Sequence, residues 1–448
     1  MKDTNKHYWL KSGSYTLILN IQQPLFGFLG FYMLVRILDK HSFGIWTLFV
    51  ATTTIFEMAR SGLIQYSLIK FLSESPEEEK PKIISASFVL SAILMGICIV
   101  VNLSIAGYLS RLWHYPGLVP MFIIFNGVYI LQGFLSQFQW IEQSNLKFGG
   151  ILVTTLIRQG GFFLYILICY IFKLHISLLS LIYAQAVSTG IAGIIAYFYV
   201  RKYLIFSYQF HLDWVKKIFN YGKFVFGTFI STMLTNTINQ MMVGTIISPD
   251  AAGSYSVAIR IFTLTDVPTN ALGTIVFPQS AKRFAQQGKD AGKYLYEKSV
   301  GTILAILIPL VIFVFCFPAF VVRLVAGSNY SETVPMVQLV ILTCLLSPFD
   351  RFFGIIMDSI GKAKLNFIIV LGFTIVVLTL NYFLIGIYGI MGCIYGTLIA
   401  DLILFAVRQF ILFKILHVNA LSPFIYAFRF YPEFFRNYIK PMLEKLPE

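Results

Sequence analysis

The sequence predicts an all-α polytopic membrane protein with about twelve transmembrane helices. Of its 448 residues, 57% are hydrophobic and 12% are charged, which is about half the charged share of a soluble domain. The mean hydropathy is +0.77, and the apolar residues form long runs such as 17–35, 83–109 and 302–322. Runs of about eighteen or more apolar residues cross a bilayer as helices, whereas strands of a membrane barrel are about half as long and alternate in polarity.

The predicted spans follow one another with short connections, and each holds the roughly 20 residues that a crossing helix needs. The first is too long for the core of a signal peptide, so we expect it to stay in the mature protein. The spans are 12–37, 43–69, 83–110, 118–140, 150–172, 176–200, 221–247, 253–279, 295–322, 334–358, 365–386 and 389–413.

The basic residues predict the orientation. If the N-terminus is cytoplasmic, 24 of the 34 Lys and Arg residues lie in inner segments, five lie at outer ends and five lie within spans. Inner loops of membrane proteins carry such an excess, so the pattern places both termini in the cytoplasm. The net charge of +14 is then explained by orientation and by attraction to anionic lipids, and a nucleic-acid partner is not expected.

An internal repeat predicts two bundles. A shift of 209 residues superimposes the first two spans on the seventh and eighth without a gap, although chance similarity between apolar helices is the alternative. The matched pairs include Gly13 with Gly222, Gly44 with Gly253, and Glu57 with Asp266. We therefore expect a six-helix bundle over 1–200, an amphipathic cytoplasmic linker over 201–220, a second six-helix bundle over 221–416 and a cytoplasmic tail over 417–448.

Motifs of enzyme chemistry are missing from the sequence. It holds no P-loop, dinucleotide fingerprint, zinc motif or nucleophile elbow. The five cysteines all fall inside spans and form no CxxC or Cys/His cluster. We therefore predict no catalytic residues, no metal site and no cofactor.

Several stretches together carry a family resemblance. They are RILDKHSFGIWTLF at 36–49, SPDAAGSYSVAIRIFTL at 248–264, GTIVFPQSAKRFA at 273–285, AGSNYSETVPMVQLVILTCLLSPFD at 326–350 and LNYFLIGIYGIMGCIYGTLIADLI at 380–403. In order and spacing they resemble the Wzx-like polysaccharide flippases of the multidrug/oligosaccharidyl-lipid/polysaccharide exporter superfamily. One departure is that Asn239 and Gln240 stand where such proteins often have an acid in the seventh span.

The resemblance implies a MATE-like fold of two six-helix bundles around a central cavity that opens by alternating access. It implies an undecaprenyl-diphosphate-linked oligosaccharide as the cargo and the bacterial inner membrane as the location. A glycan polymerase and glycosyltransferases of the same pathway are the further partners that it implies, besides the membrane lipids.

Four arginines lie deep within predicted spans, namely Arg60, Arg158, Arg260 and Arg351. At roughly 2.5–3.5 kcal/mol each in lipid, they need water or counter-ions around them. They are either parts of ion pairs that join helices, or they line a cationic cavity that binds diphosphate or acidic sugars. The planar fork of arginine suits the second role. Arg408 is shallower, and we expect it to reach the head groups.

The repeat-matched acids Glu57 and Asp266 are the predicted counter-ion or coupling residues. Glu57 lies three residues before Arg60, and Asp350 beside Arg351 is a further source of counter-charge.

Two alternative functions stay open. One is a cation-coupled multidrug exporter of the same fold, although span 12–37 lacks the protonatable acid that is common in such exporters. The other is a membrane-embedded glycan-modifying enzyme, although the longest outer loop, near 323–333, leaves little room for catalytic groups.

Overall fold

The computed structural model describes residues 18, 19, 22, 24–207, 209, 211–265, 269, 289–359, 362–434 and 436. All regular elements in these residues are helical. In chain order they are α1 (Pro24–Ile37), α2 (Lys40–Glu74), α3 (Lys80–Leu112), α4 (Leu118–Ser144), α5 (Phe148–Ile171), α6 (Leu178–Val200), α7 (Leu212–Ile246), α8 (Pro249–Thr265), α9 (Lys289–Cys316), α10 (Pro318–Ala326), a 3₁₀ turn (Ser328–Thr333), α11 (Val334–Thr343), α12 (Ser347–Ser359), α13 (Ala363–Tyr388), α14 (Ile390–Leu416) and α15 (Ser422–Phe434).

Nine segments of the described chain are long and apolar enough to cross a membrane. Helices α2 to α6, α13 and α14 each coincide with one predicted span to within a few residues. This confirms the prediction of an all-α, multi-pass membrane protein. Most of 12–23 in the first predicted span, and most of 266–279 in the eighth, lie outside the described residues.

Two predicted spans are not single helices, and this corrects the sequence analysis. The span predicted over 295–322 ends as α9 at Cys316, and α10 begins at Pro318. Proline disfavours the helical conformation of the residue before it, and Phe317 accordingly has φ −122° and ψ 47°. The span predicted over 334–358 is divided into α11 and α12 by a turn at 344–346.

The helices group into two compact units. The first unit comprises Met1–Thr237 together with the turn Ser248–Asp250, and the second comprises Ile238–Ile247 and Ala251–Glu448. Apolar residues from α2, α3, α4 and α7 form a core in the first unit, including Leu63, Ile64, Ile83, Ile141 and Ile218. The core of the second unit joins α9, α12, α14 and α15 through residues that include Tyr296, Ile303, Phe352, Leu412 and Ala427.

The stretch predicted as a linker contains the beginning of α7. From Leu212 the chain is helical, and this end of α7 packs on α2 and α3 within the first unit. Trp214 Nε1 donates a hydrogen bond of 2.9 Å to Glu79 Oε2. A Cβ atom on Gly222 would lie 1.8 Å from the carbonyl oxygen of Leu63, so the close approach of α7 to α2 requires glycine at this position.

The turn between α1 and α2 is stabilised by its polar residues. Asp39 caps α2 by accepting a hydrogen bond of 2.9 Å from the backbone N–H of Ser42. Burial raises the pKa of Asp39, but its hydrogen bonds with Ser42 and with the backbone of His41, together with the electrostatic attraction of His41, outweigh that effect and hold the pKa below its ordinary value. His41 Nδ1 lies 2.9 Å from Asp250 Oδ1, and these positions are 209 residues apart, which is the shift of the internal repeat.

Candidate functional site

A buried ion pair lies in the middle of α2. Arg60 Nη2 donates a hydrogen bond of 2.5 Å to Glu57 Oε1. Residues three apart share one face of a helix, so the spacing of these residues produces the pair. The Arg60 side chain is 0% exposed, whereas Glu57 keeps 29% of its side chain exposed.

Helix α4 supplies the surroundings of the Arg60 guanidinium. Ser136 Oγ lies 3.3 Å from Nη2 and accepts a second hydrogen bond. The guanidinium carbon lies 5.8 Å from the ring centre of Tyr129 and 5.6 Å from that of Trp140. Aromatic rings within about 6 Å attract a cation through the negative face of their π-system. The two rings therefore contribute to holding the charge, in a part of the chain where it is costly.

Arg158 on α5 joins the same cluster. It is close enough to Glu57 for their opposite charges to attract each other. Gln139 Nε2 on α4 donates to Thr154 Oγ1 on α5 at 3.0 Å, and Thr154 lies one helical turn before Arg158. The bond fixes α5 beside α4, so Arg158 projects from a positioned helix.

The cluster carries more positive than negative charge. Among the described residues, two guanidinium groups, of Arg60 and Arg158, share the carboxylate of Glu57. Among the described residues, no hydrogen-bond partner lies within reach of Nε and Nη1 of Arg60 or of Nε of Arg158, although all three atoms are buried. Buried N–H groups of charged side chains are normally paired. Three buried nitrogen atoms of the cluster are therefore left without an acceptor among the described residues.

The remaining predicted site residues are placed as follows. Arg260 on α8 is half-buried and Arg351 on α12 is exposed, and both belong to the second unit. The structure thus brings together three of the predicted residues, Glu57, Arg60 and Arg158, within the first unit. Asp266 lies outside the described residues.

Arg408 and Asp350 correct two predictions from the sequence. Arg408 does not reach the head groups, because only 7% of its side chain is exposed and it forms an ion pair with Asp350. Asp350 was expected to neutralise its neighbour Arg351, but its carboxylate reaches α14 instead. The guanidinium carbon of Arg408 also lies 5.2 Å from the ring centre of Phe353.

Asp401, which the sequence analysis did not single out, belongs to the same group. It interacts electrostatically with both Asp350 and Arg408. Arg408 follows Asp401 by seven residues, which places both on one face of α14. Among the described residues, two carboxyl groups thus lie near one guanidinium. The acid lies inside the apolar run GTLIADLILF, and that interruption is the sequence signal that could have identified it.

In the seventh span, amides occupy the position at which Wzx-like flippases often have an acid. Asn239 is 1% exposed, and its Oδ1 accepts a hydrogen bond of 2.9 Å from Asn381 Nδ2. Asn381 Nδ2 also donates to Thr397 Oγ1 at 3.2 Å. An amide does not titrate, so this network joins α7, α13 and α14 without carrying a charge. Within the described part of the chain, no group of three His, Cys, Asp or Glu residues is arranged to hold a metal ion.

Sequence comparison finds a match over most of the chain. The pattern of the family described as polysaccharide biosynthesis protein matches residues 33–335. The lipopolysaccharide biosynthesis protein WzxC of Escherichia coli (strain K12) is 20% identical over 339 residues, which are 75% of this chain and 66% of WzxC. The chain therefore matches slightly less than two thirds of the length of this relative.

Solved structures share the fold. An inward-facing multidrug resistance MATE family transporter of the MOP superfamily superimposes with a TM-score of 0.73 at 16% identity, over 93% of this chain and 96% of that one. The lipid II flippase MurJ in an inward closed conformation gives a TM-score of 0.73 at 14% identity, over 97% and 93% of the two chains. These similarities confirm the predicted MATE-like fold.

Proposed function

Because this chain belongs to the polysaccharide biosynthesis protein family, we propose that it moves an undecaprenyl-diphosphate-linked oligosaccharide from the cytoplasmic to the outer leaflet of the bacterial inner membrane. The movement serves surface polysaccharide synthesis and proceeds by alternating access. The names of WzxC, a lipopolysaccharide biosynthesis protein, and of MurJ, a lipid II flippase, support this substrate class. A glycan polymerase and glycosyltransferases of the same pathway are the proposed partners.

The surplus of positive charge around Glu57 is the observation that carries the proposal. A lipid diphosphate is anionic and cannot cross hydrocarbon unless fixed donors replace its hydration shell. Arg60 and Arg158 offer three buried nitrogen atoms that lack an acceptor within the described residues. The fork of arginine matches phosphate oxygens in pairs. Each charge-assisted hydrogen bond gained by the head group is worth about 1.5–3 kcal/mol.

The same balance disfavours a cationic drug as the cargo, because like charges in a low-dielectric site repel each other strongly. From the second unit, Arg260 and Arg351 are the proposed contributors to the cavity. Glu57 and Asp266 are the proposed counter-ion or coupling residues, which neutralise an arginine or titrate during transport.

Substitution of the two clustered arginines tests the proposal. We expect Arg60→Ala and Arg158→Ala to lower transport roughly tenfold or more, because each variant loses donors to the head group. Arg60→Lys should be impaired less than Arg60→Ala, since lysine keeps the charge but loses the fork. Transport is measured by complementation of a flippase-deficient strain, normalised for the amount of protein in the membrane.

Arg111→Ala is the matched control, because Arg111 is an exposed arginine at the end of α3 and should be replaceable without loss. Full activity of both Arg60→Ala and Arg158→Ala would refute the role of the cluster in binding. We expect the wild-type protein to restore transport of the strain's own lipid-linked oligosaccharide and not to export cationic dyes, as a carrier of lipid-linked oligosaccharides should.

The proposed orientation has its own test. Both termini are cytoplasmic in this proposal, so the segment around Gly288 and the end near Lys440 lie inside, and the turn that contains Ser328 lies outside. Reporter fusions at Gly288 and Lys440 should be active only in the cytoplasm, and a fusion at Ser328 only outside. An outside signal at Gly288 would contradict the arrangement.

A further inference from the structure

The last helix of the described chain, α15, is amphipathic and too short to cross a membrane. It has 13 residues, so it is about 20 Å long, whereas the hydrocarbon core is about 30 Å thick. It falls in the region predicted from the sequence as a cytoplasmic tail. It follows α14, a helix long and apolar enough to cross the membrane.

One face of α15 packs closely on α9. Pro423 and Ala427, which lie on this face, are buried. A Cβ atom on Gly301 of α9 would lie 2.6 Å from the carbonyl oxygen of Pro423, so the two backbones approach as closely as glycine allows. The hydroxyl of Tyr431 donates a hydrogen bond of 2.6 Å to the carbonyl oxygen of Ala305. These contacts fix α15 against α9.

The contacts place α15 at membrane depth. Gly292–Cys316 of α9 is long and apolar enough to span the membrane, and Lys298 is the last charged residue at its beginning. At 1.5 Å per residue, Gly301 and Ala305 lie about 5 and 11 Å along the helix from Lys298. A helix that packs on this stretch lies beside the acyl chains of one leaflet. Its outer face therefore contacts lipid as well as water.

The outer face of α15 is apolar and exposed. Leu421, Ile425 and Phe428 are 67%, 52% and 72% exposed. Their spacing of four and three residues places them in one stripe along the helix. On the preceding helix α14, Phe410 and Phe413 are exposed to a similar degree, 58% and 59%. The stripe therefore has the same character as the lipid-facing surface of a spanning helix.

Arginines accompany the apolar stripe. Arg429 on α15 and Arg436, two residues after the end of α15, are both exposed. With Pro432 and Glu433 they line a surface groove. Two cations and one acid leave this groove positively charged, as is the chain as a whole. Such a groove complements the phosphate of an anionic lipid.

We infer that α15 is a membrane-surface anchor that binds anionic phospholipid of the bilayer. Leu421, Ile425 and Phe428 lie among the acyl chains of the leaflet next to the C-terminal tail. Arg429 and Arg436 bind the phosphate of the head group. The inference concerns a surface outside the Glu57 cluster and does not depend on which cargo the protein moves.

Fluorescence quenching by brominated lipids tests the inference on the full chain. The five native cysteines are replaced by alanine, and a fluorophore is attached to Phe428→Cys. Proteoliposomes contain brominated phosphatidylglycerol or brominated phosphatidylcholine at equal content. Glu77→Cys, in the loop between α2 and α3 where Glu77 is 87% exposed, is the water-exposed control.

We expect both lipids to quench the fluorophore at position 428, phosphatidylglycerol more strongly, and neither to quench it at position 77. The preference for phosphatidylglycerol should fall about fivefold for each arginine in Arg429→Gln and Arg436→Gln, because each basic residue near an anionic surface contributes about that factor. The variant with Lys216→Gln and Lys217→Gln, exposed lysines of α7, should keep the preference.

Two results would overturn the inference. Equal quenching by the two lipids would show that the arginines do not select an anionic head group. An absence of quenching by either lipid would show that water or a protein surface, such as a second copy of the chain, covers Phe428.

Discussion

Neutralising Glu57 and Arg60 singly and together separates a structural ion pair from a binding site. Glu57→Gln removes the carboxylate that, among the described residues, lies near both Arg60 and Arg158, and Arg60 is 0% exposed. Breaking a buried pair by removing one partner costs about 3–5 kcal/mol, and Glu57→Gln should lie at the upper end because two cations lose their counter-ion. Arg60→Met should cost less, about 1–3 kcal/mol, since Glu57 is 29% exposed and keeps Arg158 nearby.

The double variant is the decisive measurement. Replacing both members of a buried pair by neutral groups is often close to neutral for stability. We therefore expect Glu57→Gln with Arg60→Met to recover most of the loss. Thermal unfolding of the purified protein follows this, because a loss of about 3 kcal/mol lowers Tm by roughly 6–12 °C in a unit of about 200 residues.

Transport then distinguishes the two roles of the pair. If Arg60 binds the cargo, or if Glu57 takes part in coupling, the double variant regains Tm but stays defective in transport. If the pair has only a structural role, the double variant regains both Tm and transport. A larger fall in Tm for Arg60→Met than for Glu57→Gln would refute the reasoning about exposure and counter-charge, because it would show that Arg158 does not compensate.

Three further predictions concern stability. Asp39→Ala should lower the free energy of unfolding by about 1 kcal/mol, because the helix loses its cap. Since the pKa of Asp39 is lowered in the fold, this contribution is present above about pH 4 and disappears as the pH falls further. Unfolding measured at neutral and at acidic pH checks both expectations. Asp350→Asn and Asp401→Asn should each be tolerated, since the other carboxyl remains near Arg408, whereas the double variant should lose about 3 kcal/mol or more in the same thermal assay. Gly222→Leu should cost about 1–3 kcal/mol by forcing α7 away from α2, and an unchanged Tm would contradict that close contact.

Local features of the chain could be predicted from the sequence. The apolar runs gave the helices α2 to α6 because length and hydropathy alone determine whether a helix crosses a bilayer. The Glu57 and Arg60 pair could be predicted because both residues stand on one helix at a spacing of three. The break at Pro318 was also accessible, since proline restricts the residue before it, but the apolar run across it concealed the break.

Contacts between distant helices could not be predicted in this way. Asp350 pairs with Arg408, which is far along the chain on another helix, and the adjacent Arg351 misled the choice of partner. Arg158 meets Glu57 only because α5 packs beside the other helices of the first unit. Helix α15 is a different case, because its buried residues recur with helical spacing in a segment that was too short and too basic to be considered as part of the membrane domain.

The charged residues within the spans fall into two groups: those that hold helices together, and those whose charge the fold itself does not require. Balanced pairs suffice to join helices, and the uncharged Asn239 and Asn381 network joins three helices without any charge. Among the described residues, the cluster around Glu57 has one cation in excess, and a surplus charge in a low-dielectric interior costs free energy that a structural pair would avoid. A surplus charge of this kind is compensated when a ligand of opposite charge binds beside it. The imbalance, rather than the burial of the arginines as such, is therefore the reason to look for the proposed anionic cargo at Arg60 and Arg158.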